Sequence, residues 1–130
     1  MTYEILLCDD EMHILRAAEL KFKRSGFNVR LANDGREALE RIQELRPDVV
    51  VTDYQMPRMN GLELIAALRS DPATRDLPIV LLTAKGFELS ERKLIEEYGI
   101  SKLLAKPFSP REMVAGVMQL LEKSCPASAT

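Results

Sequence analysis

Five times along the chain a short, mostly apolar run gives way to a longer stretch whose apolar residues recur at helical spacing. The short runs are Ile5–Cys8, Val29–Ala32, Val49–Thr52, Ile79–Leu82 and Leu103–Ala105. Most do not alternate between apolar and polar, as expected for strands covered on both faces. Strand and helix repeated five times predict an α/β domain with a mainly parallel sheet and helices on both sides. Right-handed crossovers make such a sheet doubly wound, with its ligand site outside the carboxyl ends of the strands. That rule brings together residues that are distant in sequence.

The intervening stretches carry helix start signals. Ile14, Leu15, Ala18 and Phe22 form one apolar face that ends near Gly26. Asp34 with Glu37, and Asn60 with Glu63, each place a capping residue three positions before an acid. Ser109, Pro110 and Glu112 supply a cap, a first-turn proline and an acid for the last helix. A fourth helix, about residues 88–98, is short and charged and is closed by Gly99. Residues 1–123 are expected to form one domain, and the small polar residues 124–130 a frayed tail.

At 130 residues, with 46% hydrophobic and 29% charged residues, the chain suits one globular domain and not a disordered one. A formal net charge of −2 with intermixed signs gives no footprint for nucleic acid. No apolar run approaches the roughly 20 residues of a membrane span, and the N-terminus does not read as a signal peptide. Cys8, inside a strand, reads as a small buried hydrophobe, and Cys125 is too isolated for a disulfide framework. His13 reads as a surface residue on a helix. A reducing cytoplasm fits this composition.

At the strand tips the sequence places Asp9 and Asp10, followed by Glu11; then Asp53; then Thr83, followed by Lys85; then Lys106. Each acid taken alone could be a solvated loop residue, and Asp10 could cap the first helix. Carboxylates aimed at one point repel each other unless a cation lies among them. Lys106 offers one positive charge, and a hard divalent ion such as Mg²⁺ would supply the rest, with Asp10, Asp53 and the backbone carbonyl of Gln55 as ligands. A carboxylate held in this way can attack phosphorus, and Asp53, on the central strand, is the candidate nucleophile. Thr83 and Lys106 could then neutralise or hydrogen-bond the phosphoryl oxygens.

Two other functions would make different demands on the same residues. A flavin-binding flavodoxin needs a hydroxyl- and glycine-rich loop after the first strand, where this chain has "CDDEMHIL". A phosphatase of the haloacid-dehalogenase type needs a second acid two residues after its nucleophile, where this chain has Gln55. No Walker loop, nucleophile elbow or zinc spacing occurs.

The blocks "LLCDDE", "VVVTDYQMPRMNG", "IVLLTAKG" and "LLAKPFSPREM" together resemble receiver domains of two-component response regulators over about residues 3–123. The resemblance implies a flavodoxin-like, doubly wound (βα)5 sandwich with strand order 2-1-3-4-5. It implies phosphoryl transfer to Asp53 from a histidine kinase or phosphotransfer protein, with Mg²⁺ held by Asp10, Asp53 and the Gln55 carbonyl, and by Asp9 through water. Thr83 and Lys106 would contact the phosphoryl group, across a cis Lys106–Pro107 bond. Self-phosphorylation and slow dephosphorylation, not turnover catalysis, would be the chemistry. A downstream protein would read the face of the fourth helix, fifth strand and fifth helix.

Gln55 and Lys85 occupy positions that tune phosphoryl lifetime in this family. Leu103 departs from the family pattern, which commonly has an aromatic residue there, and so puts the usual threonine-to-aromatic relay in doubt. With no output module expected in these residues, the chain is a stand-alone receiver or a piece of a larger regulator or hybrid kinase. The competing class is a receiver-like scaffold that binds its partner without phosphorylation.

Overall fold

A computed structural model describes residues 3–56, 58–83, 91–105 and 109–124. The elements alternate as expected: β1 (Glu4–Cys8), α1 (Met12–Arg24), β2 (Asn28–Ala32), α2 (Gly35–Glu44), β3 (Val49–Asp53), α3 (Gly61–Ser70), β4 (Ile79–Thr83), α4 (Glu91–Tyr98), β5 (Lys102–Ala105) and α5 (Pro110–Ser124). All strand pairings are parallel, in the order β2-β1-β3-β4-β5. The doubly wound sheet and its strand order are thus as the sequence and the resemblance implied.

Strand alternation divides the core into two layers. Ile5, Leu7, Val49, Val51, Val80 and Leu82 pack with Leu15, Phe22, Met113 and Val117 of α1 and α5. Leu6, Val50, Ile79 and Leu81 pack on the other side with Ala38, Ile42, Leu64, Ile65 and Leu68 of α2 and α3. Because both sides are covered, β3 and β4 are buried along their whole length. β2 and β5, at the two sheet edges, are partly exposed.

The local start signals form largely as read. Asn60 and Glu63 make a full capping box, with Asn60 Oδ1 accepting from the Glu63 N–H at 2.9 Å and Glu63 Oε1 accepting from the Asn60 N–H at 3.1 Å. At α2, Asp34 Oδ1 accepts from the Glu37 N–H at 2.8 Å, but the Glu37 carboxylate reaches one residue further back, to the Asn33 N–H. Ser109 Oγ accepts from the Glu112 N–H at 3.1 Å. Asp10 is not the N-cap of α1: that position is Glu11, whose own side chain makes no capping hydrogen bond. Ser124, expected in the tail, is the last residue of α5. The expected start of α4 at Glu88, the residues Lys85 and Lys106, the Lys106–Pro107 bond and residues 125–130 lie outside the described residues.

Candidate functional site

Parallel register sets the geometry at the carboxyl edge. Cys8 pairs with Thr52, so the next residues, Asp9 and Asp53, emerge side by side from β1 and β3. Asp53 pairs with Leu82, which places Thr83 one step beyond it on β4. Oxygens of Asp9, Asp10, Glu11 and Asp53 all lie within 4.8 Å of one another. Asp9 is fully buried and Asp53 is 6% exposed, whereas Asp10 and Glu11 face solvent. Glu11, which the sequence places just after the tip of β1 without giving it a ligand role, joins the cluster as a fourth acid.

Fixed backbone donors orient the two buried acids. Asp9 Oδ1 accepts from the Glu11 N–H at 3.0 Å, which bends the chain from β1 into α1. The Asp9 N–H in turn donates to the Ala32 carbonyl, extending the β1–β2 ladder to the site. Asp53 Oδ1 accepts from the Tyr54 N–H at 2.9 Å. Beneath the acids, burial first and then the Asp9 carboxylate push the Cys8 thiol far above its usual pKa. Cys8 is therefore inert filler in the α2–α3 layer, as read from sequence.

The donor set suits a hard divalent cation. Four carboxylates with no softer ligand match Mg²⁺ or Ca²⁺ chemistry rather than zinc or copper. Gln55, two residues beyond Asp53, is exposed on the β3–α3 loop, and Thr83 is buried at the tip of β4. Leu103 is half-buried against the α2–α3 layer.

The loop from Tyr54 to Asn60 is held at several points that sequence reading missed. The Thr52 hydroxyl donates to the Asp53 carbonyl at 3.0 Å and lies 3.9 Å from the Met56 sulfur. The Gly61 N–H donates to the Tyr54 carbonyl at 2.8 Å. A Cβ on Gly61 would stand 2.3 Å from the Asp53 carbonyl oxygen, so only glycine lets α3 start this close to Asp53. Across the loop, the Gly35 N–H donates to the Met59 carbonyl at 3.1 Å, and a Cβ on Gly35 would collide with Met59. Arg58 has φ 64°, a left-handed backbone that costs a non-glycine residue about 1–2 kcal/mol. Its Nε donates to Asp34 Oδ2 at 2.9 Å, and its Nη2 lies 2.9 Å from the same oxygen.

Comparison with known proteins agrees with this geometry. The response regulator receiver domain family matches residues 5–118, and the chain belongs to it. Response regulator MprA of Mycolicibacterium vanbaalenii is 40% identical over 126 residues, covering 97% of this chain and 53% of that protein. The alkaline phosphatase synthesis transcriptional regulatory protein PhoP of Bacillus subtilis is 38% identical over 124 residues, covering 95% and 50%. The chain thus spans about half the length of these curated relatives. Among solved structures, chemotaxis response regulator CheY4 of Vibrio cholerae superposes with a TM-score of 0.84 at 28% identity, covering 92% of this chain and 99% of that one. The Francisella response regulator 1452 receiver domain gives 0.81 at 31% identity, covering 94% and 98%. Among the described residues no helix is long and apolar enough to cross a membrane.

Proposed function

We propose that this receiver domain is a phosphorylation-dependent switch in which Asp53 accepts a phosphoryl group. The observation that carries this reading is the gathering of four carboxylates around the tip of the central strand, with oxygens within 4.8 Å. An Asp53 oxygen attacks the donor's phosphorus, the bond from phosphorus to the donor breaks, and an acyl phosphate forms on Asp53. Mg²⁺ would be held by Asp10, Asp53 and the Gln55 carbonyl, and by Asp9 through water, and would supply the counter-charge that lets these acids share one site. Thr83 and Lys106 bind the transferred group, and Gln55 and Lys85 border the path of the water that later removes it. The chain is not a turnover enzyme in this scheme.

The donor is a histidine kinase or a histidine phosphotransfer protein, and a downstream protein reads the face of α4, β5 and α5. Neither nucleic acid nor membrane is a partner of this domain, and its place is the cytoplasm. Incubation with acetyl phosphate and Mg²⁺, followed by intact-mass measurement, tests the reading. One added phosphoryl group, absent from Asp53→Ala and from samples in EDTA, is expected. An unmodified parent protein would favour a phosphorylation-independent scaffold instead.

A further inference from the structure

We infer that Asp34 and Arg58 are positioning residues for the metal site: their ion pair locks the loop that carries the Gln55 carbonyl. The inference rests on the metal reading above and extends it to two residues to which the sequence reading gives no part in the metal site. Arg58 is the only non-glycine residue with positive φ among the described residues. A left-handed arginine is an unfavourable backbone state, so something outside the residue must hold it. The holding group is the Asp34 carboxylate, which is 4% exposed and takes both guanidinium contacts on Oδ2.

Asp34 cannot follow the loop if the loop moves. Its other oxygen, Oδ1, is occupied by the Glu37 N–H, so the carboxylate is fixed to the first turn of α2. The neighbouring Gly35 N–H, bonded to the Met59 carbonyl, adds a second tie one residue beyond Arg58. At its other end the loop is closed by the bond from the Gly61 N–H to the Tyr54 carbonyl. Between these anchors Gln55 is exposed and contributes its backbone oxygen, not its side chain, to the proposed metal. A carbonyl ligand is only as well placed as the loop it belongs to, and groups behind a metal's ligands commonly set its affinity.

The pair also makes a test in which position and charge predict opposite signs. Removing the Asp34 charge would weaken cation binding through the electric field alone, whereas removing the Arg58 charge would strengthen it. If the pair acts by holding the loop, both losses weaken binding. Mg²⁺ dissociation constants are measured from backbone amide shifts during MgCl₂ titration of the parent chain, Asp34→Asn, Arg58→Gln and Arg58→Lys. Asparagine retains the helix cap, so Asp34→Asn removes the pair without unravelling α2.

We expect a rise in the Mg²⁺ dissociation constant of about 3- to 10-fold in both Asp34→Asn and Arg58→Gln, with partial recovery in Arg58→Lys. Phosphorylation by acetyl phosphate should need correspondingly more Mg²⁺ for half its maximal rate, while the rate at saturating Mg²⁺ is retained. Tighter binding in Arg58→Gln, or unchanged binding in both variants, overturns the inference and leaves the metal site standing. A parent chain whose amides do not respond to Mg²⁺ overturns the metal reading itself, and the inference with it.

Discussion

A single missing methyl group decides how close the third helix comes to Asp53. The Gly61 Cα faces the Asp53 carbonyl at a distance that leaves no room for a Cβ. Gly61→Ala should therefore cost about 1–3 kcal/mol in urea denaturation and slow acetyl phosphate labelling of Asp53, because the loop must shift to admit the methyl. Asp34 makes a second prediction at this scale. The Glu37 N–H, and then Arg58, hold its pKa below the ordinary carboxylate value despite the opposing effect of burial. A lowered folded-state pKa means stability that is complete above the unfolded value, about 3.9, and is lost as pH falls through the folded value. The stability gap between the parent and Asp34→Asn should be about 1 kcal/mol near neutrality and close on acidification below pH ~4. Equilibrium unfolding across that range measures it; a gap independent of pH would contradict the assignment.

At the scale of elements, Arg69 of α3 joins three pieces of chain. Its guanidinium donates to the carbonyls of Tyr98 and Gly99 at the end of α4, at 2.9 and 2.8 Å, and to those of Arg75 and Leu77 before β4, both at 2.8 Å. Desolvation lowers its pKa, yet arginine remains charged at any ordinary pH. The result is a cation at the negative end of α4, bonded to carbonyls that the helix itself cannot satisfy. Arg69→Ala should cost about 2 kcal/mol and raise amide hydrogen exchange across α4 more than across α1. Uniform loss of protection would contradict a local role.

Much of this level was legible in advance, because caps and hydropathy are local properties. Asn60, Asp34 and Ser109 were all identified as helix starts. The strand ends were read short at Asp53 and Thr83, since hydropathy registers side chains. The ladder registers backbone, and both residues still pair, with Leu82 and Ala105. The pairing of Arg58 with Asp34 and the reach of Arg69 to Tyr98 and Gly99 are not legible, because those partners are distant in sequence and arginine gives no sign of a left-handed backbone.

Across the whole molecule, a signal from Asp53 to the α4, β5 and α5 face proposed above would pass from β3 through β4 to β5. Leu103 lies on that route, half-buried against the layer that also receives Tyr98 of α4. A leucine there has neither the bulk nor the hydroxyl of the aromatic residue common in the family. With a beryllofluoride mimic bound, amide shifts in α4 should change little in the parent chain and clearly more in Leu103→Tyr. Large shifts in the parent would sink this expectation. The convergence of Asp9, Asp10 and Asp53 was foreseeable from topology alone, since parallel strands deliver all their tips to one edge. Lys85 and Lys106 lie outside the described residues.

The same parallel winding sends both described ends of the chain to the other edge. Tyr3 precedes β1 at its start, and α5 runs back from the carboxyl edge to finish at Ser124. A fluorophore, affinity handle or surface tether attached at either residue would thus sit a strand's length away from the acids. Labelling for single-molecule or surface-capture assays can use either of these positions without crowding the acidic cluster.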